Sequence, residues 1–253
     1  MKTKTRILLL LLVQACWMQA GAQQLYNMGF DTWSRQGVSW NPFPKDAPES
    51  QRVWDSANRG IRLFRINVAE PEYGHVAVPG PGKCAAKLSS RNILWGFVTG
   101  NLYVGRFVRV VNFAGIEMYN GAPFRGRPKS LSGYYHYIPG TIDYADKAHQ
   151  DLKGKADSGQ IDITLYGWSA PLHTVTTDGP TPDPEKDPAL IGRAVLRLDK
   201  ATDGYVHFDI PIHYYSDDIP TYVGINIFSS LLGECFTGSS QTVLYVDEFE
   251  FQY

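Results

Sequence analysis

Residues 124–137 combine cationic and aromatic side chains, a pairing suited to a carbohydrate surface. The segment begins as a Gly/Pro-containing cationic loop and continues as an aromatic run typical of a β-strand. Because side chains alternate between the faces of a strand, Leu131 on the core side leaves Tyr134 and His136 on the outer side. Tyrosine is equally common in strands for packing alone. The predicted sugar contacts of this segment are Arg125, Arg127, Lys129, Tyr134 and His136.

Three tryptophans extend this predicted binding site. Trp40 and Trp54 lie in a proline-rich stretch, residues 34–60, and Trp168 ends a predicted strand. Long loops in compact domains are often functional or held against the core. A tryptophan ring stacks well on the C–H face of a sugar, but it also serves as a core anchor. We expect the three rings to line one cleft with the cationic loop.

The last predicted strand, residues 243–253, places a carboxylate on its apolar side. Strict alternation puts Asp247 on the face of Phe249 and Phe251. A carboxylate there is costly unless it is hydrogen-bonded, ion-paired or bound to a cation. In a jelly roll the first and last strands run close together, which brings Asp31, in the predicted first strand, near Asp247. The two interpretations are a hydrogen-bonded rim aspartate and a structural calcium ion held by both carboxylates.

Hydrolysis of a glycosidic bond is the enzymatic alternative. It requires two carboxyl groups that flank the bond. The candidate acids are Glu117, Asp143, Asp146 and Asp162, and none lies in a motif that fixes such a pair. The sequence has no G-x-S-x-G elbow, no H-E-x-x-H motif and no paired C-x-x-C. Binding without catalysis is therefore the main prediction.

Residues 1–22 have the pattern of a secretory signal sequence. Three basic residues precede an apolar run too short to span a bilayer, and Ala22 ends a small-residue cleavage site. Cleavage after Ala22 is favoured over acylation of Cys16, because Gln14 is unusual at its position in a lipoprotein signal. The predicted location is the periplasm or the cell surface. Without the three basic signal residues, 21 of the 24 basic residues face 25 acidic ones, a net charge of −4 that does not favour nucleic acid.

The rest of the chain has the composition of a β protein. With 24 glycines, 16 prolines and 13% aromatic residues, turns and strands are favoured over helices. About ten short apolar runs predict an antiparallel β-sandwich that forms a single domain over residues 23–253. Residues 160–168 alternate like a strand with one buried and one solvated face, and residues 176–188 are typical of an exposed loop. Cys84 and Cys235 are compatible with a disulfide and with two free thiols.

Three segments occur in an order that resembles a known family. G-F-D-T-W occupies residues 29–33, and R-P-K-S-L-S-G-Y-Y-H-Y occupies residues 127–137. The ending, residues 229–253, is S-S-L-L-G-E-C-F-T-G-S-S-Q-T-V-L-Y-V-D-E-F-E-F-Q-Y. In combination they resemble the Putative carbohydrate metabolism domain (PCMD) family over most of the chain beyond the signal. The resemblance implies a jelly roll similar to galactose-binding-like carbohydrate modules, and a role in glycan use.

The same resemblance bears on the metal and on the function. In galactose-binding-like modules an early acidic residue and an aspartate of the last strand hold a structural calcium ion, and Asp31 and Asp247 stand at matching places. The sequence departs from the usual pattern at Cys235 and at residues 241–242, which leaves the local loop geometry open. We expect a secreted protein that binds glycan non-covalently. A glycoside hydrolase and a cell-surface adhesin or assembly subunit that binds protein are the alternatives.

Overall fold

A computed structural model describes residues 22–94, 96–112, 115–177 and 180–253. The predicted signal sequence and the alternative acylation site Cys16 lie outside the described residues, except for Ala22. Within the described part of the chain, no helix is long and apolar enough to cross a membrane. The strands found there are β1 Ser34–Gln36, β2 Ser39–Asn41, β3 Trp54–Asp55, β4 Ala69–Glu72, β5 Ala85–Ser89, β6 Arg91–Ile93, β7 Gly96–Val98, β8 Asn101–Val111, β9 Gly115–Asn120, β10 Ala122–Pro123, β11 Ser130–Ile138, β12 Gly159–Tyr166, β13 Leu172–Val175, β14 Leu190–Leu198, β15 Val206–Pro211, β16 His213–Tyr214, β17 Tyr222–Phe228 and β18 Val243–Gln252. The 3-10 turns found there are Glu49–Gln51, Ala57–Arg59, Arg62–Phe64, Gln150–Leu152, Pro184–Lys186 and Gly233–Cys235.

Two antiparallel sheets form the sandwich. The nine-stranded sheet has the order β13-β9-β8-β17-β12-β14-β16, with β3 paired to β8 and β10 paired to β17. The five-stranded sheet has the order β15-β11-β18-β5-β4. The eight strands of a jelly roll are present as β5-β18-β11-β15 in one sheet and β8-β17-β12-β14 in the other. Their connections form two Greek keys. The predicted all-β jelly-roll sandwich is confirmed.

The hydrophobic core lies between the two sheets. β12 contributes Ile161, Ile163 and Leu165, as its alternation predicted, and the five-stranded sheet contributes Leu131 and Phe251. Burial of each such side chain contributes about 1.5–3 kcal/mol relative to exposure. Inner-face residues therefore fix which side chains of every strand point outward.

Trp54 belongs to this core, so its predicted contact with a sugar is wrong. The side chain is completely buried, and its ring packs edge-on against Phe30 with the ring centroids 5.2 Å apart. Its Nε1 donates a hydrogen bond of 2.9 Å to the carbonyl oxygen of Tyr26. β3 pairs with β8 so that Trp54 lies opposite Val104, which directs the ring between the sheets. The alternative of a core anchor is the correct one.

A β-bulge in β18 reverses the predicted orientation of Asp247. Between the pairs Ser132–Glu250 and Tyr134–Asp247, two steps along β11 match three along β18. Glu248 absorbs the extra residue with φ of 47°. Asp247 therefore points out of the sandwich, although only 2% of it is exposed.

Two other local predictions are corrected. Residues 25–33, predicted as the first strand, form a turn in which Asn27 and Phe30 have φ of 58° and 54°. Both faces of β12 are buried, so its outer face is not solvated as predicted. The two cysteines are free thiols, with Cys84 buried and Cys235 half-buried.

Candidate functional site

The outer face of the five-stranded sheet carries Tyr134 and His136, as the alternation in β11 predicted. Both rings are half-buried because neighbouring rings cover them. Tyr134 packs edge-on against His207 at 5.1 Å, and His136 stacks on Tyr245 at 5.6 Å between ring centroids. The Nδ1 of His136 lies 2.6 Å from the Nε2 of His75, and burial lowers the pKa of His136, which favours a neutral ring. The rings of this face therefore contact one another.

Arg127 makes contacts within the protein instead of facing a free surface. Its guanidinium donates hydrogen bonds to the carbonyl oxygens of Ser216, at 3.1 Å, and of Asp218, and lies 4.0 Å from the centre of the Tyr214 ring. These contacts engage the donors that were predicted to bind sugar hydroxyls. The other cations of this loop, Arg125 and Lys129, are exposed to solvent.

The other two predicted tryptophans lie apart from this loop and from each other. Trp40 is half-buried in the hairpin of β1 and β2, with the guanidinium of Arg35 5.6 Å from its ring centre. Trp168 follows β12 at the outer face of the nine-stranded sheet. The prediction that these rings share a cleft with Tyr134 and Arg127 is wrong, because they belong to different sheets and loops.

Asp31 and Asp247, the predicted calcium ligands, each contact other groups of the protein. The Nζ of Lys83 lies 2.8 Å from Asp31 and 2.5 Å from Glu248, so an ammonium group occupies the space between these carboxylates. Asp247 accepts a hydrogen bond of 2.7 Å from the amide of Ala77. Among the described residues, no group of three or more His, Cys, Asp or Glu is arranged to hold a metal ion. Protein groups thus engage both carboxylates, and the calcium ion stays a prediction.

The outer face of the nine-stranded sheet forms a cleft. Tyr103 on β8 lies beside Asn226 on β17, which lies beside Asp162 on β12. Trp168 lines the far end, with its ring stacked on Tyr166 at 3.8 Å. The side chains that line this part of the cleft include the polar Asn101, Asn120, Thr164 and Asn226 and the rings Tyr103, Tyr166, Trp168 and Phe228. Flat rings thus alternate with amide and hydroxyl groups.

A buried polar network supports the floor of the cleft. Arg193 donates to both carboxylate oxygens of Asp162, with its Nε at 3.0 Å and its Nη2 at 2.6 Å. The Nε2 of Gln160 also donates to Asp162, at 3.2 Å. The Oε1 of Gln160 is buried and has no hydrogen-bond partner among the described residues. An unpaired buried acceptor costs about 1–3 kcal/mol, so Gln160 lowers the stability of this layer beneath the cleft.

The cleft continues into a larger and mostly apolar chamber of about 740 Å³. Tyr103 and Glu234 line both parts, which places the cleft and the chamber next to each other. The rings of Phe107 and Phe236 line the chamber wall, and Leu63 lies at its edge with 87% of its surface exposed. The combined cleft can accept a chain-like ligand with apolar faces and polar edges.

Glu234 is the carboxylic acid of the cleft. Its carboxylate accepts hydrogen bonds from the amide and hydroxyl of Thr181, at 3.2 Å and 3.0 Å, and burial raises its pKa. Among the described residues, no other carboxyl group lines either part of the cleft. The acids predicted for hydrolysis lie elsewhere, with Glu117 beside Arg109, Asp143 beside Ser240, Asp146 beside His149 and Asp162 in the floor network.

The loop predicted to be exposed lies against this cleft. Asp187 accepts a hydrogen bond of 2.9 Å from the Nε1 of Trp168, and Glu185 lies 2.7 Å from Arg193. Pro182 lines the cleft. The polar and proline-rich composition was interpreted correctly as a loop, but its contacts with the sheet were not visible in the sequence.

Parts of the cleft did have a sequence signal. The alternation in β12 placed Asp162, Thr164 and Tyr166 on one face, opposite the isoleucines. Because this face was predicted to be solvated, its residues were not predicted to belong to a cleft. Glu234 had no signal, because a single glutamate in a short turn matches no catalytic or binding motif.

Comparisons with known proteins agree with the fold. A glycoside hydrolase described as putative, from Bacteroides thetaiotaomicron, has a solved structure with 20% identity and a TM-score of 0.68, over 92% of this chain and 72% of that chain. A second such protein, from Bacteroides vulgatus, has 18% identity and a TM-score of 0.63, over 87% and 94%. No curated protein sequence matches. Residues 29–252 match the family described as Putative carbohydrate metabolism domain, and the chain therefore belongs to that family.

Proposed function

We propose that the protein binds a glycan non-covalently in the cleft on the outer face of the nine-stranded sheet. The observation that carries the proposal is the grouping of rings and amide groups around a cleft of about 90 Å³ that ends at Trp168 and lies next to the chamber of about 740 Å³. Sugars present apolar C–H faces that stack on rings and hydroxyls that bind amides. Membership in a carbohydrate-related family supports this ligand class. The predicted signal sequence adds the proposal that the protein is exported.

Binding to immobilised polysaccharides tests this proposal. The mature protein, beginning at Gln23, is passed over xylan, mannan, arabinan and pectic galactan, and the affinity for the best of them is measured by titration. Trp168→Ala removes the ring at the end of the cleft, and Asn226→Ala removes an amide of its floor. We expect Trp168→Ala to weaken binding roughly tenfold, since loss of an aromatic contact costs on the order of 1 kcal/mol or more.

Trp40→Ala is the matched control. Trp40 is also a half-buried tryptophan, but it lies on the β1–β2 hairpin. We expect this variant to bind neutral polysaccharide like the parent. Two outcomes would contradict a site in the cleft. In one, Trp168→Ala and Trp40→Ala both lose binding; in the other, Trp168→Ala, Trp40→Ala and Asn226→Ala all bind like the parent.

Glycoside hydrolysis is the second candidate function. Glu234 favours it, because a carboxyl with a raised pKa inside a cleft is suited to donate a proton to a leaving group. Among the described residues, the second carboxyl group that hydrolysis requires does not line the cleft. The two similar solved structures are described as putative glycoside hydrolases. Release of reducing sugar that is lost in Glu234→Gln would establish this function. Binding without release of reducing sugar would leave the non-catalytic proposal in place.

A further inference from the structure

A second cavity of about 500 Å³ lies beside the cleft and has a different chemical character. The 3-10 turn Ala57–Arg59 separates them, since Ala57 lines the chamber and Arg59 lines the second cavity. Five cationic side chains line this second cavity, and we call it the cationic pocket. They are Arg35, Lys45, Arg52, Arg59 and Arg106.

Two of these guanidinium groups are held in place by aromatic rings. Arg35 lies 5.6 Å from the ring centre of Trp40, and Arg52 lies 5.6 Å from the ring centre of Phe43. The Nε of Arg52 also donates a hydrogen bond of 2.9 Å to the carbonyl oxygen of Ala47. A guanidinium fixed in this way keeps its outer N–H groups available as a planar fork, which suits carboxylate and sulfate oxygens.

The acids that line the pocket do not neutralise it. They are Asp46, Glu49 and Asp55, against five cations. Asp55 is paired with Arg59 at 3.2 Å and accepts hydrogen bonds from the amides of Ser56 and Phe107. Glu49 pairs with Arg106 at the exposed edge.

The remaining cations lack such partners. Within the described part of the chain, Arg35 and Lys45 have no ion-pair partner, and Arg52 uses only its Nε in a hydrogen bond. These three side chains carry three positive charges, and the carboxylate of Asp46 is the one remaining negative charge in the described lining of the pocket. The pocket therefore keeps a net positive charge and free donors.

We propose that the cationic pocket binds the anionic group of an acidic saccharide, a carboxylate or a sulfate ester. The proposal rests on the proposed function only in that its ligand is a saccharide; the two sites have separate binding residues. Arg52 and Arg35 are the principal donors, and Lys45 adds charge at the entrance. Neutral sugars gain no charge-assisted hydrogen bond there.

Titration calorimetry with small sugars tests the pocket separately from the cleft. D-galacturonate and D-galactose differ only in the carboxylate at C6, and galactose 6-sulfate carries a sulfate ester at the same carbon. We expect the full mature protein to bind one or both anionic sugars and to bind galactose at least about tenfold more weakly, because galactose forms no charge-assisted hydrogen bonds with the guanidinium groups. The preferred anionic sugar identifies carboxylate or sulfate as the ligand group.

Variants of equal charge change assign the binding to the pocket. Arg52→Gln and Arg35→Gln should each weaken binding of the anionic sugar roughly tenfold. Arg125→Gln, which removes an exposed cation outside the pocket, should leave it unchanged. Equal binding of galactose and both anionic sugars, or equal losses in Arg125→Gln and Arg52→Gln, would overturn the proposal. Trp168→Ala should retain anionic-sugar binding, so failure of the cleft and failure of the pocket give different results.

Discussion

The outer faces of the two sheets carry similar residues but offer different surfaces. On the five-stranded sheet, Tyr134 packs against His207, while His136 and Tyr245 pack against each other and against a loop that carries His75. On the nine-stranded sheet, Tyr103 and the stacked rings beside it line a cleft. Outward aromatic residues therefore do not identify a binding site by themselves. What distinguishes the faces is that the rings of the nine-stranded sheet border a cavity lined by amide groups, although Tyr103 and Tyr166 are themselves only 6% and 5% exposed.

The buried aspartates of the two faces sharpen this comparison, and Asp162 is expected to show the largest effect. Asp162 is 4% exposed and forms a two-pronged ion pair with Arg193, whose side chain is 12% exposed. Asp162→Ala leaves that guanidinium without its buried partner and should lower the free energy of unfolding by roughly 3–5 kcal/mol. Urea denaturation measures this. A loss below about 1 kcal/mol would show that the pair does not support the cleft floor.

Asp247, on the outer face of the five-stranded sheet, should have the opposite effect on stability: its replacement should stabilise the protein at neutral pH. Burial raises its pKa to about 6 from a usual 3.8. Between pH 4 and pH 6 the folded protein then binds more protons than the unfolded chain, so this group makes the protein less stable as pH rises through that range. Asp247→Asn should remove that dependence and stabilise the protein at pH 7 by at most about 3 kcal/mol.

Thermal melting of the parent and Asp247→Asn across pH 4–7, with calcium and with EGTA, checks this. The difference between the two proteins isolates Asp247 from the other titrating groups. If the variant is less stable at every pH and the melting temperature of the parent depends on calcium, the result would support a calcium ion held by Asp31 and Asp247.

Arg127 is expected to have a smaller effect, on stability and not on binding. Arg127→Ala removes hydrogen bonds to two carbonyl oxygens and the contact with Tyr214. We expect a loss of about 1–3 kcal/mol in the free energy of unfolding, with unchanged affinity for the polysaccharide. Weaker polysaccharide binding by a folded variant would return the cationic loop to the site.

Tyr134 should give the smallest effect on binding. Its ring lies on the covered face, edge-on to His207. Tyr134→Ala is expected to bind polysaccharide like the parent, while Trp168→Ala does not. An affinity gel that retards the parent and Trp168→Ala equally, but not Tyr134→Ala, would reverse the comparison of the two faces.

The sequence predicted most of the long strands because their apolar residues alternate. β12 and β18 end within two residues of their predicted bounds, and the sandwich to which they belong was predicted as well. The first segment was missed because its turn depends on positive φ at Asn27 and Phe30, which no residue type announces there. Trp54 was misplaced because β3 has only two residues, too few for a pattern.

The candidate site was harder to predict than the fold. Strict alternation failed at Asp247 because a single left-handed residue, Glu248, shifts the register. Alternation also cannot show which outward face a distant loop covers. Residues 180–188 and Glu234 reach the cleft from far along the chain, and only the tertiary structure brings them to Trp168.

A crystal structure of the protein with a bound oligosaccharide tests the central claim most directly. The oligosaccharide is cut from the polysaccharide that binds most tightly to the mature protein. We expect sugar rings in the cleft of the nine-stranded sheet, with one ring against Trp168 and sugar hydroxyls within hydrogen-bond distance of Asn226. Sugar bound on the five-stranded sheet beside Tyr134 and His136, with an empty cleft, would contradict it.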